Sequence, residues 1–263
     1  MKSFGEVACD AARQGGEVLN RRFREQSPLQ IETKGAHDFV TDVDREAERA
    51  VLQTIRAAFP DHGIISEEDS PDAPRSGLRW VVDPLDGTTN FIHGVTPFCV
   101  SVALEDDEGP LAAAIFDPHH EEMFRAVRGG GAFLNDEPIR CSPIDHPDRA
   151  LLATGFPFRE LSRLDRYMQA FEAFVRATSG IRRAGSAAID LAHTACGRYD
   201  GFWEVGLSRW DIAAGILIVT EAGGTVSDPL GGAEAEALNS GDLVAAGPVL
   251  HEWMLSVTRE AFG

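Results

Sequence analysis

Lysine is almost missing from this sequence of 263 residues: Lys2 and Lys34 are the only two among 24 Lys and Arg. Positive charge is scarce altogether, with 42 Asp and Glu and a formal net charge of −18. Binding a polyanion needs clustered cations, so the balance argues against nucleic acid as a direct partner. An acidic protein still binds an anionic substrate where metal ions sit between the two. Long apolar runs are absent too, none approaching the ~18 residues that span a bilayer. The opening residues, MKSFGEVACD, carry Glu6 and Asp10 where a secretory leader would be apolar. These features predict a soluble, cytoplasmic protein with no membrane partner. Cys9, Cys99, Cys141 and Cys196 are far apart and form no CxxC pair. Four reduced, mostly buried thiols are expected, with neither a thiolate zinc site nor a disulfide framework. The histidines show no HExxH or HxxxH spacing, and there is no GxxxxGK[ST] or GxSxG motif. Gly129-Gly130-Gly131 lacks the dinucleotide fingerprint and reads as a turn between strands.

The composition is that of a globular protein, 43% hydrophobic and 25% charged. At ~150 residues per domain this is one large domain or two small ones. Amphipathic spacing predicts a helix over Ser3–Arg24, bent at Gly15 and Gly16. A strand over Leu29–Thr33 follows, then a helix from Asp44 to Phe59, stopped by Pro60. Strands are expected at Gly63–Ser66, at Trp80–Asp83 (ended by Pro84), at Phe98–Leu104 and Leu111–Phe116, and at Met123–Val127 and Ala132–Leu134. The later chain predicts a strand at Leu151–Thr154 and a helix over Leu164–Arg176 with Tyr167, Phe171, Phe174 and Val175 on one side. It continues with a helix over Ser186–Cys196, a strand over Tyr199–Glu204, an apolar helix over Asp211–Ala222, and strands at Thr225–Ser227 and Leu243–Ala246. No element is assigned beyond Ala246. Hairpins mixed with helices point to layered α/β packing with sheets of mixed direction. The polar, Pro-containing stretch Ser142–Arg149 is the one weak midpoint of an otherwise continuous chain over 1–263.

Four acidic corners carry the chemistry. In DPLDGTTNF (Asp83–Phe91) two carboxylates flank a proline after an apolar strand, and Gly87-Thr88-Thr89 then open a helical turn. Acids there bind cations, while free N–H groups at the turn bind an anion. A bare DxxDG is more often a loop with Asp86 as an N-cap, but the full string is more specific. SEED (Ser66–Asp69) by itself is a solvated acidic turn. In VTDVD, Thr41 and Asp44 fit a capping box. In WDIAAGILIVTEAGG (Trp210–Gly224), Asp211 is either an N-cap or a metal ligand at the head of a buried helix. Oxygen-only ligands imply a hard cation, Mg²⁺ before Zn²⁺. Asp42-Val-Asp44 resembles the DxD of aspartyl-phosphate phosphatases, but Glu46 stands where that motif has a small hydroxyl residue.

DPLDGTTNF and WDIAAGILIVTEAGG together resemble the paired signatures of the inositol monophosphatase family. The resemblance runs in order through KGAHDFVTDVD, ISEED, PFCVSVAL, GGGAFLN, ATGFPF and RRAGSAAIDL, covering nearly the whole chain. Thr89-Asn90-Phe91 favours the inositol monophosphatase branch over relatives acting on adenosine bisphosphates or histidinol phosphate. The resemblance implies a single catalytic domain with a five-layered αβαβα fold and mixed sheets, a homodimer, sensitivity to lithium, and roughly two to three Mg²⁺ ions per site. By position, Glu67, Asp83 and the carbonyl of Leu85 would hold one ion, and Asp83, Asp86 and Asp211 a second; a weaker third would share Glu67. Thr88, linked to Asp44, and Glu67 would activate the attacking water, with Gly87 and Thr88 N–H groups on the phosphate. Gly185, Ser186, Ala187, Glu204 and Asp211 would face the alcohol, and Lys34 the phosphate side. Ser66 departs from the family, which commonly has glycine there, and the segment between Lys34 and Asp44 differs in length. The implied activity is Mg²⁺-dependent hydrolysis of inositol 1-phosphate and related monoesters by direct water attack. Alternatives are the same fold acting on fructose bisphosphate, histidinol phosphate or NADP, and a regulatory binding protein of transcription complexes.

Overall fold

The computed structural model describes residues 2–25, 29–35, 38–68, 77–158 and 160–263. Ala36, His37, Asp69 and residues 70–76 lie outside the described residues, as does the side chain of Lys34. The first half runs α1 (Phe4–Glu25), β1 (Ile31–Gly35), β2 (Asp38–Thr41), α2 (Asp42–Ala58), β3 (Gly63–Ser66), β4 (Arg79–Asp86), α3 (Thr88–Ile92), β5 (Cys99–Asp106), β6 (Gly109–Asp117), β7 (Glu122–Val127), β8 (Ala132–Leu134) and β9 (Glu137–Pro138). The second runs β10 (Leu151–Thr154), α4 (Leu164–Ala177), β11 (Gly180–Arg182), α5 (Ala187–Ala195), β12 (Gly201–Glu204), α6 (Arg209–Glu221), β13 (Thr225–Ser227), α7 (Glu234–Ser240), β14 (Leu243–Ala246) and α8 (Pro248–Phe262).

Strands β3 to β9 form a seven-stranded sheet in sequence order, parallel at β3–β4 and antiparallel elsewhere. A five-stranded sheet has the order β11-β10-β12-β14-β13, with parallel and antiparallel pairs. Side chains alternate across a strand, and both faces of the larger sheet are covered. In β5, Val100, Val102 and Leu104 join Val7, Leu19, Val51 and Ile55 of α1 and α2, whereas Cys99 and Ala103 join α5 and α6. The far side of α5 and α6 packs on Phe202, Leu243 and Ala245 of the smaller sheet. The opposite face of that sheet meets Tyr167 and Phe174 of α4 and Leu250 and Met254 of α8. The result is a five-layered α/β sandwich, and α5 and α6, which follow 142–149, share one core with both sheets.

Several expectations change in detail. Gly15 and Gly16 do not bend α1, which is continuous. They let it approach its neighbours: a Cβ on Gly15 would lie 2.8 Å from Val51 and one on Gly16 2.4 Å from Phe116. Pro84 does not end β4, which shifts register between Asp83 and Asp86 and continues. The first strand begins at Ile31 rather than Leu29, and α2 starts two residues earlier than expected because Thr41 is its N-cap. Val175 is 52% exposed and leaves the buried side of α4 to Tyr167 and Phe174. Only Cys99 is fully buried; the other three thiols are half-buried and free. The triple glycine is a turn, and its amides at Gly129 and Gly131 donate to Glu221 at the far end of α6 (2.6 and 2.7 Å). β2, β9, β11, α7 and α8 have no counterpart in the sequence reading.

Candidate active site

The end of β4, the first turns of α3, α5 and α6, and the end of β12 surround one cavity of about 620 Å³. Glu67, Asp83, Leu85, Asp86, Gly87, Thr88, Gly185, Ser186, Ala187, Glu204 and Asp211 all line it. Asp44 lies behind this wall, 1% exposed, and reaches the cavity through Thr88. Lys34 is the remaining expected residue, and its side chain lies outside the described residues.

The register shift at the end of β4 builds the central corner. The Leu85 amide donates to Asp83 Oδ1 (2.9 Å), curling the Pro84 turn around a carboxylate that is 2% exposed. Gly87 then turns the chain with φ 95°, where a side chain is strained, and a Cβ would stand 2.9 Å from the Pro97 carbonyl. The Thr88 hydroxyl lies 3.1 Å from Asp44 Oδ1 and 3.0 Å from the Leu85 carbonyl, within donating distance of both. Asn90 donates to the carbonyls of Pro97 (2.7 Å) and Ala184 (2.9 Å), tying this loop to the start of α5.

Of the three capping expectations, one holds and two change. Asp44 and Thr41 do form the capping box, with the Thr41 amide 2.9 Å from Asp44 Oδ2, yet Asp44 Oδ1 faces Thr88. Cap and site residue are thus one side chain. Asp86 does not cap α3, whose N-cap is Gly87. Its Oδ2 instead accepts from Ser186 Oγ (2.6 Å) and the Ala188 amide (2.8 Å), at the start of α5. Asp211 is the third residue of α6 rather than its N-cap; Ser208 holds that place and donates its amide to Asp211 Oδ2 (2.7 Å).

The electrostatics are those of an acid-rich pocket. Burial holds the Asp83 carboxyl well above its ordinary range, and the charges of Glu67, Asp86 and Asp211 raise it further. Among the described lining residues Arg183 is the only cation. Four oxygen donors gathered in this way fit a hard divalent cation. Among the described residues no three such side chains already close on one point as a finished ligand shell; Asp86 and Asp211 each have an oxygen held by protein donors. Ser66, next to Glu67, donates its hydroxyl to buried Glu48 of α2. The sequence reading missed Gly155, Phe156, Phe158, Arg183 and Asp190, all on the cavity wall. ATGFPF and RRAGSAAIDL were visible as strings, but nothing in them showed which side chains face the cavity.

A family model described as the inositol monophosphatase family matches residues 1–261. A Pseudomonas aeruginosa protein named Nus factor SuhB is 46% identical over 250 residues, covering 93% of this chain and 92% of that one. An inositol-1-monophosphatase of Mesorhizobium japonicum is 40% identical over 255 residues, covering 97% and 95%. Among solved structures, the extragenic suppressor protein suhB of Bartonella henselae superimposes with a TM-score of 0.93 at 39% identity, covering 97% and 98%.

Proposed function

The chain belongs to the inositol monophosphatase family, and on that footing we propose that it is a Mg²⁺-dependent phosphomonoesterase acting on inositol 1-phosphate and related polyol monophosphates. The observation that carries this reading is Asp83, a buried carboxylate with three more acids around it. Glu67, Asp83, the Leu85 carbonyl, Asp86 and Asp211 would hold the metal. Bound there, magnesium supplies charge neutralisation for the phosphate, a lowered pKa for water and stabilisation of the leaving alkoxide. The protein's own part is positioning. Asp44 would accept the Thr88 hydrogen and so turn the Thr88 oxygen toward the attacking water, which Glu67, also on the cavity wall, would help to orient. Gly87 and Thr88 amides face the phosphate, and Gly185, Ser186, Ala187 and Glu204 the alcohol. The family resemblance adds a homodimer and a single catalytic domain over 1–263, and the sequence composition a cytoplasmic setting.

The test is phosphate release across a panel of esters, with Mg²⁺ and after chelation, for the wild type and Glu204→Ala. Wild-type release should vanish without metal. A charge-assisted hydrogen bond contributes roughly 1.5–3 kcal/mol, so Glu204→Ala should lower kcat/KM for inositol 1-phosphate about 10- to 150-fold. It should barely alter p-nitrophenyl phosphate, whose alcohol offers no hydroxyl. Metal-independent release would overturn the phosphomonoesterase reading, and equal losses on both esters would place Glu204 in the metal site or the fold.

A pH profile probes Asp44. Burial is the main cause that pushes its carboxyl up to about 6, with Glu68 adding to the rise and hydrogen bonds from Thr41 and Thr88 opposing it. The ionised form, which accepts from Thr88, therefore prevails above about pH 6. At saturating Mg²⁺, kcat/KM should fall about tenfold per unit below that point, and Asp44→Asn should remove this acid limb. An unchanged limb in the variant would show that another group titrates.

A second reading rests on the name Nus factor carried by the Pseudomonas relative: a regulatory role in transcription. It predicts that a catalytically dead variant still performs that role.

A further inference from the structure

α5 carries one carboxylate, Asp190, in an otherwise neutral and mostly apolar segment, AAIDLAHTA. Asp190 is 1% exposed and lies on the cavity wall, and its Oδ1 has no hydrogen-bond partner among the described residues. The other buried acids are served: Asp44 receives Thr41 and Thr88, and Asp211 receives the Ser208 amide. An unpaired carboxyl oxygen out of water is destabilising. Such a group persists where a ligand completes it, and marks a site kept at some cost in stability.

Its neighbours say which part of the ligand it faces. Burial raises the Asp190 carboxyl well above the ordinary range, and Glu204 and then Asp86 raise it further. Glu204 is itself pressed against Gly155: a Cβ there would lie 1.9 Å from Glu204 Oε1. Gly155 thus leaves the room in which the Glu204 carboxylate lies beside Asp190. Arg183, above Phe156 and Phe158 at 5.7 and 5.3 Å from the ring centres, is the nearby cation that opposes the rise.

We propose that Asp190 is a second specificity-determining residue, its carboxyl on the cavity wall meeting a substrate hydroxyl adjacent to the one that Glu204 meets, so that the site selects alcohols with two neighbouring hydroxyls beside the phosphorylated carbon. This inference rests on the phosphomonoesterase reading and deepens it. It predicts a separation of stability from specificity. Removing an unpaired buried acid relieves the fold, whereas removing a structural one damages it.

The test compares kcat/KM for inositol 1-phosphate and cyclohexyl phosphate in the wild type, Asp190→Ala and Asp190→Asn, with melting temperatures. Asp190→Ala should lose about tenfold or more on inositol 1-phosphate and stay within about twofold on cyclohexyl phosphate, which has no hydroxyl for Asp190 to meet. Asp190→Asn, able to hydrogen-bond in the same place, should recover most of the loss, and both variants should melt at or above the wild-type temperature. Equal losses on the two esters, no loss on inositol 1-phosphate, or a variant that melts earlier or fails to fold would each overturn the proposal. A wild type that hydrolyses neither ester would instead overturn the phosphomonoesterase reading, and this inference with it.

Discussion

Asp211→Asn should remove nearly all phosphate release, about a thousandfold or more in kcat, and leave the protein folded. Two roles of Asp211 separate cleanly. As the third residue of α6 it accepts the Ser208 amide at 2.7 Å, and an asparagine oxygen accepts the same bond. As one of the acids around Asp83 it supplies negative charge, and the amide supplies none. A neutral ligand binds a hard divalent cation poorly. The sign of the stability change is a further check. Without metal the four acids repel one another, so removing one charge should leave the melting temperature of the metal-free protein unchanged or raised. The wild type should gain more from added Mg²⁺ than the variant does, because binding to the folded state stabilises it. Circular dichroism, melting curves with and without Mg²⁺ and a release assay decide the matter. A folded variant with full activity would remove Asp211 from the metal set, and an unfolded one would make it a structural cap.

Glu105→Gln should lower the unfolding free energy by about 1–3 kcal/mol, the cost of weakening charge-assisted hydrogen bonds to a buried acceptor whose arginine partners are partly exposed to water. Glu105 is fully buried in β5 and accepts from Arg79 Nε of β4 at 3.1 Å and from Arg209 Nε of α6 at 2.9 Å. One carboxylate therefore clamps two cations from neighbouring elements, and Arg209 stands two residues before Asp211. The neutral amide presents one accepting oxygen in place of two and leaves two positive charges facing each other. At about 2–4 °C per kcal/mol for a chain of this size, the melting temperature should drop by roughly 5 °C. Kinetics at a temperature where the variant remains folded should show a raised Mg²⁺ requirement, since the start of α6 is no longer anchored to the sheet. A melting temperature within a degree or two of wild type would mean that the arginines find water or other acids instead.

Much of the site was legible in the sequence because its chemistry is local. DPLDGTTNF holds two carboxylates, the turn glycine and the threonine within nine residues, and a short segment of backbone brings them together. Local rules also gave Thr41–Asp44 as a capping box, which the structure shows. What those rules could not decide was the second partner of each group. Asp86 was open as a cap for the helix that follows it, but it accepts from the start of α5, one hundred residues onward. Asp44 has one oxygen within its own box and the other on Thr88, forty-four residues away. Asp211 was read at a helix start, but its place as third residue follows from Ser208, whose side chain and amide set the boundary.

Composition and motif order alone established an acidic protein of layered α/β type, with carboxylates at the ends of strands and the starts of helices. These follow from charge count, hydrophobic period and spacing along the chain, which need no knowledge of contacts. Tertiary structure alone decided that Asp190 lines the cavity with an unpaired oxygen and that Gly155 makes room for Glu204. It also decided that Glu105 is a buried clamp rather than a surface acid. Each depends on which side chains of distant segments meet and on how much water is left between them. Burial raises the energy of an unpaired charge severalfold over its value in water, and burial is a property of the packed layers that no single segment of the chain carries.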